Sequence, residues 1–138
     1  MKVLLTSHGS FCEGILESYN MIAGNNPDII TLKLDNDGIG KFQENLNALV
    51  NEIIEKEELL ILCDIKGGTP FNESYNLLLT NPDKIRIVTG MNLPMLIEIG
   101  VQINCNSLDE LYNMALEMGK SGVDYIEVPD DSEEELEF

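Results

Sequence analysis

The chain contains a single histidine, His8, directly after the apolar run Val3-Leu4-Leu5-Thr6 and Ser7. Imidazole has an unperturbed pKa of ~6.5, so a neutral, nucleophilic ring exists at cellular pH. Asp64 closes another apolar run, Leu59-Leu60-Ile61-Leu62-Cys63. A carboxylate that accepts a hydrogen bond from one ring nitrogen fixes the tautomer and leaves the lone pair of the other nitrogen free. It also stabilises positive charge developing on the ring as it attacks phosphorus. Just beyond Asp64 lies Gly67-Gly68-Thr69-Pro70-Phe71-Asn72, which reads as a glycine turn entering a helix. Glycine lets backbone approach a ligand closely. The N-terminus of a helix offers free N–H groups and partial positive charge to a phosphoryl group. Thr69 is expected as the N-cap, with Pro70 at the first helical position. Because Pro70 has no N–H, the expected donors are Gly68, Thr69, Phe71 and the Thr69 hydroxyl.

Each piece has a plain alternative. His8 alone reads equally as an inert surface or core imidazole, Asp64 as a strand-end turn residue, and Gly-Gly-Thr-Pro as a turn and cap. Competing chemistries fit worse. No Gly-Lys-Ser/Thr follows the glycines, as a Walker loop requires, and no Gly-x-Gly-x-x-Gly follows the first strand. Ser7 or Ser10 would make at best a cramped local triad with the one histidine. A glycosidase needs paired carboxylates in a cleft, and the acids here lie mostly on helix faces and at the C-terminal end. One histidine and three scattered cysteines (Cys12, Cys63, Cys105) match no zinc spacing; no metal is expected. The cysteines are expected as reduced, buried packing residues, and Met91, Met95, Met114 and Met118 as core or interface filler.

The elements that must position these residues alternate. Strands are expected at 3–6, 29–32, 59–63 and 85–89, with a closing strand of alternating faces at 123–128. Between them run helices. Ser10-x-x-Glu13 reads as a capping box ahead of Phe11, Ile15, Tyr19 and Ile22 at helical spacing. Further helices are expected at about 42–57, 70–79 and 94–99, and Ser107-x-x-Glu110 caps a last one reaching about Met118. Such alternation implies an α/β, doubly wound, mostly parallel sheet, and right-handed crossovers favour the order 2-1-3-4. Ligands then bind beyond the carboxyl ends of the strands, where the order reverses. That point lies between strands 1 and 3, which places His8 and Asp64 across one crevice, ~4.8 Å being the spacing of adjacent strands.

The chain has 138 residues, 43% of them hydrophobic, enough for one domain with a real core. Residues 1–129 are expected to form it, with 130–138 an acidic, disordered tail. The first apolar run is too short for a signal peptide, and nothing approaches the ~18 apolar residues of a membrane span, so a cytoplasmic location is expected. The balance of 8 basic to 25 acidic residues, a formal −17, disfavours nucleic acid and anionic membranes. It favours a basic protein partner, or simply keeps the protein soluble.

Three segments together carry a resemblance: Ser7-His8-Gly9 after the first strand, Asp64-Ile65-Lys66-Gly67-Gly68-Thr69-Pro70-Phe71-Asn72 after the third, and Gly90-Met91-Asn92-Leu93-Pro94-Met95-Leu96 after the fourth. In order and spacing, over about residues 1–128, the chain resembles the mannose-family IIA component of the bacterial phosphoenolpyruvate-dependent sugar phosphotransferase system. Ile65 stands where leucine is common, which puts nothing in doubt. The resemblance implies that His8 is phosphorylated on Nε2, that Asp64 orients it through Nδ1, and that Gly68, Thr69 and Phe71 hold the phosphoryl oxygens. Gly9, Gly67, Asn72, Met91, Asn92 and Pro94 would wall the site, with no cofactor. It further implies the phosphocarrier HPr as donor, itself charged by enzyme I, and a IIB component as acceptor. It implies a homodimer in which strand 123–128 crosses to the partner's sheet, and association with membrane IIC and IID components only through IIB. No fused IIB domain or Ala/Pro-rich linker follows that strand, so IIB is expected as a separate protein. A IIA of this family does not contact the sugar, so no residue here should encode it. Two alternatives share the histidine site: the phosphotransferase subunit of a dihydroxyacetone kinase, and a regulator whose binding is switched by phosphorylation of His8.

Overall fold

The computed structural model describes residues 1–130; the expected tail, apart from Asp130, lies outside the described residues. Four strands, β1 (Lys2–His8), β2 (Ile29–Leu34), β3 (Leu59–Cys63) and β4 (Ile85–Thr89), form one sheet in the order β2-β1-β3-β4. Every neighbouring pair is parallel. Five α-helices connect or follow them: α1 (Phe11–Ala23), α2 (Ile39–Ile54), α3 (Thr69–Thr80), α4 (Leu93–Gly100) and α5 (Leu108–Ser121). A short 3-10 turn, Ile103–Cys105, precedes α5.

The pleat divides the core in two. Val3, Leu5, Leu60, Leu62 and Val88 face α1, α4 and α5, whereas Leu4, Leu59, Ile61, Cys63 and Ile85 face α2 and α3. Successive residues of a strand point to opposite faces, so a sheet covered on both sides requires apolar residues throughout. That is why all five residues of β3 are fully buried.

Several boundaries and faces depart from the sequence reading. β1 continues through His8, and β2 through Leu34. The capping box at Ser10 does not form: Ser10 makes no side-chain cap bond. Instead the Ser7 hydroxyl, at the end of β1, accepts from the Cys12 N–H at 2.8 Å and donates to the Gly9 carbonyl. Glu13 turns outward to Lys33 at 3.0 Å. The box at Ser107 does form, with both reciprocal bonds present. The core face of α1 is Cys12, Ile15 and Tyr19; Phe11 and Ile22, expected inside from their spacing, are exposed. Cys12 and Cys63 are buried, but Cys105 is exposed, because it lies in the surface turn before α5.

The closing strand is not formed within this chain. Residues 123–130 belong to no helix or strand, and Val123, Tyr125, Ile126 and Val128 are all strongly exposed. Apolar and β-branched residues supply strand character, but a strand forms only along an edge that offers it hydrogen bonds, and this segment lies along none of its own sheet.

Candidate functional site

Parallel register sets Thr6 opposite Cys63 as the last pair of β1 and β3. Past it, β1 runs on to His8 while β3 turns at Asp64. His8 shares its face with Leu4 and Thr6, the side on which α3 packs. The Asp64 Oδ2 atom accepts twice from His8, from its backbone N–H at 2.9 Å and from its ring at Nδ1 at 2.8 Å. The other oxygen accepts the Ile65 N–H at 2.9 Å. Burial by itself would raise the Asp64 carboxyl; the hydrogen bonds from His8 and Ile65 outweigh it and hold the group below its ordinary range. Asp64 is therefore a carboxylate, which can only accept. In a neutral ring the hydrogen then sits on Nδ1 and the lone pair on Nε2. The Asp64 side chain is 14% exposed and that of His8 46%: a sheltered acid orients an open ring.

The ring lies against Gly68. A Cβ at that position would come within 2.5 Å of Cε1 and 2.9 Å of Nε2, so only glycine allows α3 to begin there. Gly68, with extended backbone, is the N-cap of α3, and its carbonyl accepts the Asn72 N–H at 2.8 Å. Thr69 is thus the first helical residue, one position earlier than the sequence suggested. The first-turn N–H groups of Thr69 and Phe71 have no acceptor inside the helix. Gly67, at φ +91°, makes the turn that brings Gly68 under the ring.

The expected wall residues, and Phe71 from the expected donors, make the following contacts. Gly9, at φ +59°, turns the chain out of β1 and donates to the Leu34 carbonyl. The Phe71 ring stacks on Tyr75. The Asn72 amide donates to the Gly67 carbonyl and so ties the loop. Met91 is buried in the core. Asn92 caps α4 by accepting the Met95 N–H and donates to the Gly119 carbonyl. A Cβ on Gly122 would touch Pro94, so that proline packs against the end of α5.

Lys33 escaped the sequence reading. The register pairs it with Ser7, which places it at the same end of the sheet. It lines, with His8, Gly9, Ser10, Asp35 and the β2–α2 turn, an open pocket of about 450 Å³. Its hydrogen bond to Glu13 raises the ammonium and lowers the carboxyl. Only the strand order could have disclosed it, because nothing in the local sequence sets Lys33 apart. The Cys63 thiol, next to Asp64 in the chain, is pushed up to about 12 by burial and stays protonated. Among the described residues no group of histidine, cysteine and carboxylate side chains is arranged to hold a metal, and no helix is long and apolar enough to cross a membrane.

Comparison with known proteins adds a lineage to this geometry. Residues 2–116 match the family described as the PTS system fructose IIA component. The chain is 32% identical over 100 residues to the PTS system fructose-specific EIIA component of Bacillus subtilis, covering 72% of this chain and 68% of that one. It is 26% identical over 125 residues to the PTS system mannose-specific EIIAB component of Escherichia coli, covering 89% of this chain but only 38% of that longer protein. The solved mannose/sorbose-specific IIA subunit from Enterococcus faecalis superposes with a TM-score of 0.80 at 35% identity, covering 94% of this chain and 96% of that one.

Proposed function

The chain belongs to the mannose-type EIIA family of the sugar phosphotransferase system, and from that premise we propose that it relays phosphate through His8, from phospho-HPr to a separate IIB component during sugar uptake. One observation carries the reading. The Nδ1 atom of His8 is held 2.8 Å from Asp64, which leaves Nε2 basic beside the start of α3, where free N–H groups converge.

The donor presents a phosphohistidine in line with Nε2. As the His8 Nε2–P bond forms, the donor's N–P bond breaks, and its electron pair stays on the departing imidazole. Little covalent work is left to the protein, so positioning and charge stabilisation dominate. The N–H groups of Gly68, Thr69 and Phe71 and the Thr69 hydroxyl receive the phosphoryl oxygens, and Asp64 balances the charge gained by the ring. Gly9, Gly67, Asn72 and the segment containing Met91, Asn92 and Pro94 frame the site. Transfer to IIB is the same step with the roles reversed.

Residues 1–129 form the working unit, which acts in the cytoplasm and meets membrane IIC and IID components only through IIB. Two copies assemble when segment 123–128 of each adds as an antiparallel strand to the other's β4. In support, β4 is an edge of the sheet, and the segment has exposed apolar residues of both parities, as a strand covered on both faces needs.

The test is incubation with phosphoenolpyruvate, enzyme I and HPr. Acid-labile phosphate should appear on this chain and pass to IIB. Label that persists in His8→Ala would sink the assignment.

A further inference from the structure

A phosphoryl group on His8 adds about two negative charges to a chain that already carries −17. The start of α3 meets that charge from one side. On the side of β2 the pocket beside His8 is lined by Lys33 and Asp35, and among the described lining residues Lys33 alone is basic. Asp35 can only repel a phosphate there.

Lys33 is held close by, but loosely. Its register partner is Ser7, so its side chain rises on the α1 side of β2 and reaches the first turn of that helix. The ammonium lies 3.0 Å from Glu13 Oε1 and 3.5 Å from Ser10 Oγ, and Ser10 is two residues past His8. Holding Lys33 there takes Glu13 away from the capping box that its spacing allows. The two side chains are 35% and 48% exposed, and exposed ion pairs are weak and readily exchanged. Lysine is a point charge on a flexible four-carbon stem. A phosphoryl dianion offers it more charge than one carboxylate, and three acceptor oxygens.

We propose that the pair with Glu13 is the resting position of Lys33, and that its ammonium moves to the phosphoryl oxygens when His8 carries phosphate. The proposal rests on the reading of His8 as the phosphoryl acceptor. Lys33 then stabilises the charged form of the protein, and Glu13 is the anion it leaves. The test is the equilibrium distribution of label between HPr and this chain, with phospho-HPr as the donor. Measured on the free proteins, that ratio is independent of how the donor docks and of how fast transfer runs. Lys33→Gln, a surface change that the fold should tolerate, should lower the equilibrium constant about tenfold or more, the scale of one charge-assisted hydrogen bond. Lys33→Arg keeps the charge and should recover most of it. Glu13→Gln should raise the constant about twofold or more, because the ammonium has no carboxylate to leave. An unchanged constant in Lys33→Gln, beside a wild type that is labelled, overturns the proposal and leaves the function of His8 standing. A constant that Glu13→Gln lowers as far as Lys33→Gln does means that the pair acts only by pinning α1 to β2, which also overturns it. A wild type that takes no label from phospho-HPr overturns both readings.

Discussion

Asp64 uses both oxygens at once, holding His8 by ring and backbone and holding the turn through Ile65. Asp64→Asn keeps the size but replaces an obligate acceptor with a group that can also donate, so the ring tautomer is no longer enforced. Phosphoryl transfer to His8 should fall by about 10²–10⁴, the range for losing an orienting acid, measured by rapid-quench labelling. Because the carboxyl is depressed on folding, its stabilisation is present above the unfolded pKa of ~3.9 and is lost as pH falls through the lower folded value. Wild-type stability should therefore decline below about pH 4, and the Asn variant should show a flatter acid limb in denaturant titrations. At Gly68 the constraint is steric. Gly68→Ala places a methyl 2.9 Å from Nε2, so either the ring or α3 must shift. Labelling should drop by about tenfold or more while the fold persists, as seen by circular dichroism. The types and order of His8, Asp64 and Gly68 were legible in the sequence, because each closes or follows a recognisable strand. Lys33 was not, because its place depends on its pairing with Ser7.

The start of α1 separates a motif from its use. Ser10-x-x-Glu13 has the residues of a capping box, yet Ser7 does the capping from the strand end and Glu13 pairs with Lys33. Ser7→Ala should cost about 1–2 kcal/mol, and Ser10→Ala should stay within about 0.5 kcal/mol, both read from urea melts. The opposite result would restore the capping box. At α5 the same pattern, Ser107-x-x-Glu110, forms as written, because no strand-end hydroxyl competes there. Element types followed from periodicity for the five helices and the four strands of the sheet, though not for 123–128. The faces of α1 did not, since Phe11 and Ile22 satisfy the helical spacing as well as Cys12, Ile15 and Tyr19 do, and only the placement of α4 beside α1 decides which are covered.

For the molecule as a whole, a sheet edge at β4 and an apolar segment after α5 have no counterpart among the described residues of one chain. If that segment pairs with a second copy, the full chain should sediment as a dimer at micromolar concentration. A chain ending after Gly122 should then sediment as a monomer and lose thermal stability; an unchanged mass on truncation would refute strand exchange. Local sequence determined the elements of the sheet and its helices, the fully buried β3, the α/β class and the identity of the candidate residues His8, Asp64 and Gly68, because these follow from side-chain type, periodicity and turn chemistry between neighbours. It also specified apolar character at 123–128, though not the edge that would receive it. Tertiary structure alone decided that the Nδ1 atom of His8 meets Asp64, that Gly68 lies under the ring and that Lys33 shares its pocket. Those facts depend on the order in which strands pair and on how closely a helix approaches them, and these are distances between residues far apart in the chain.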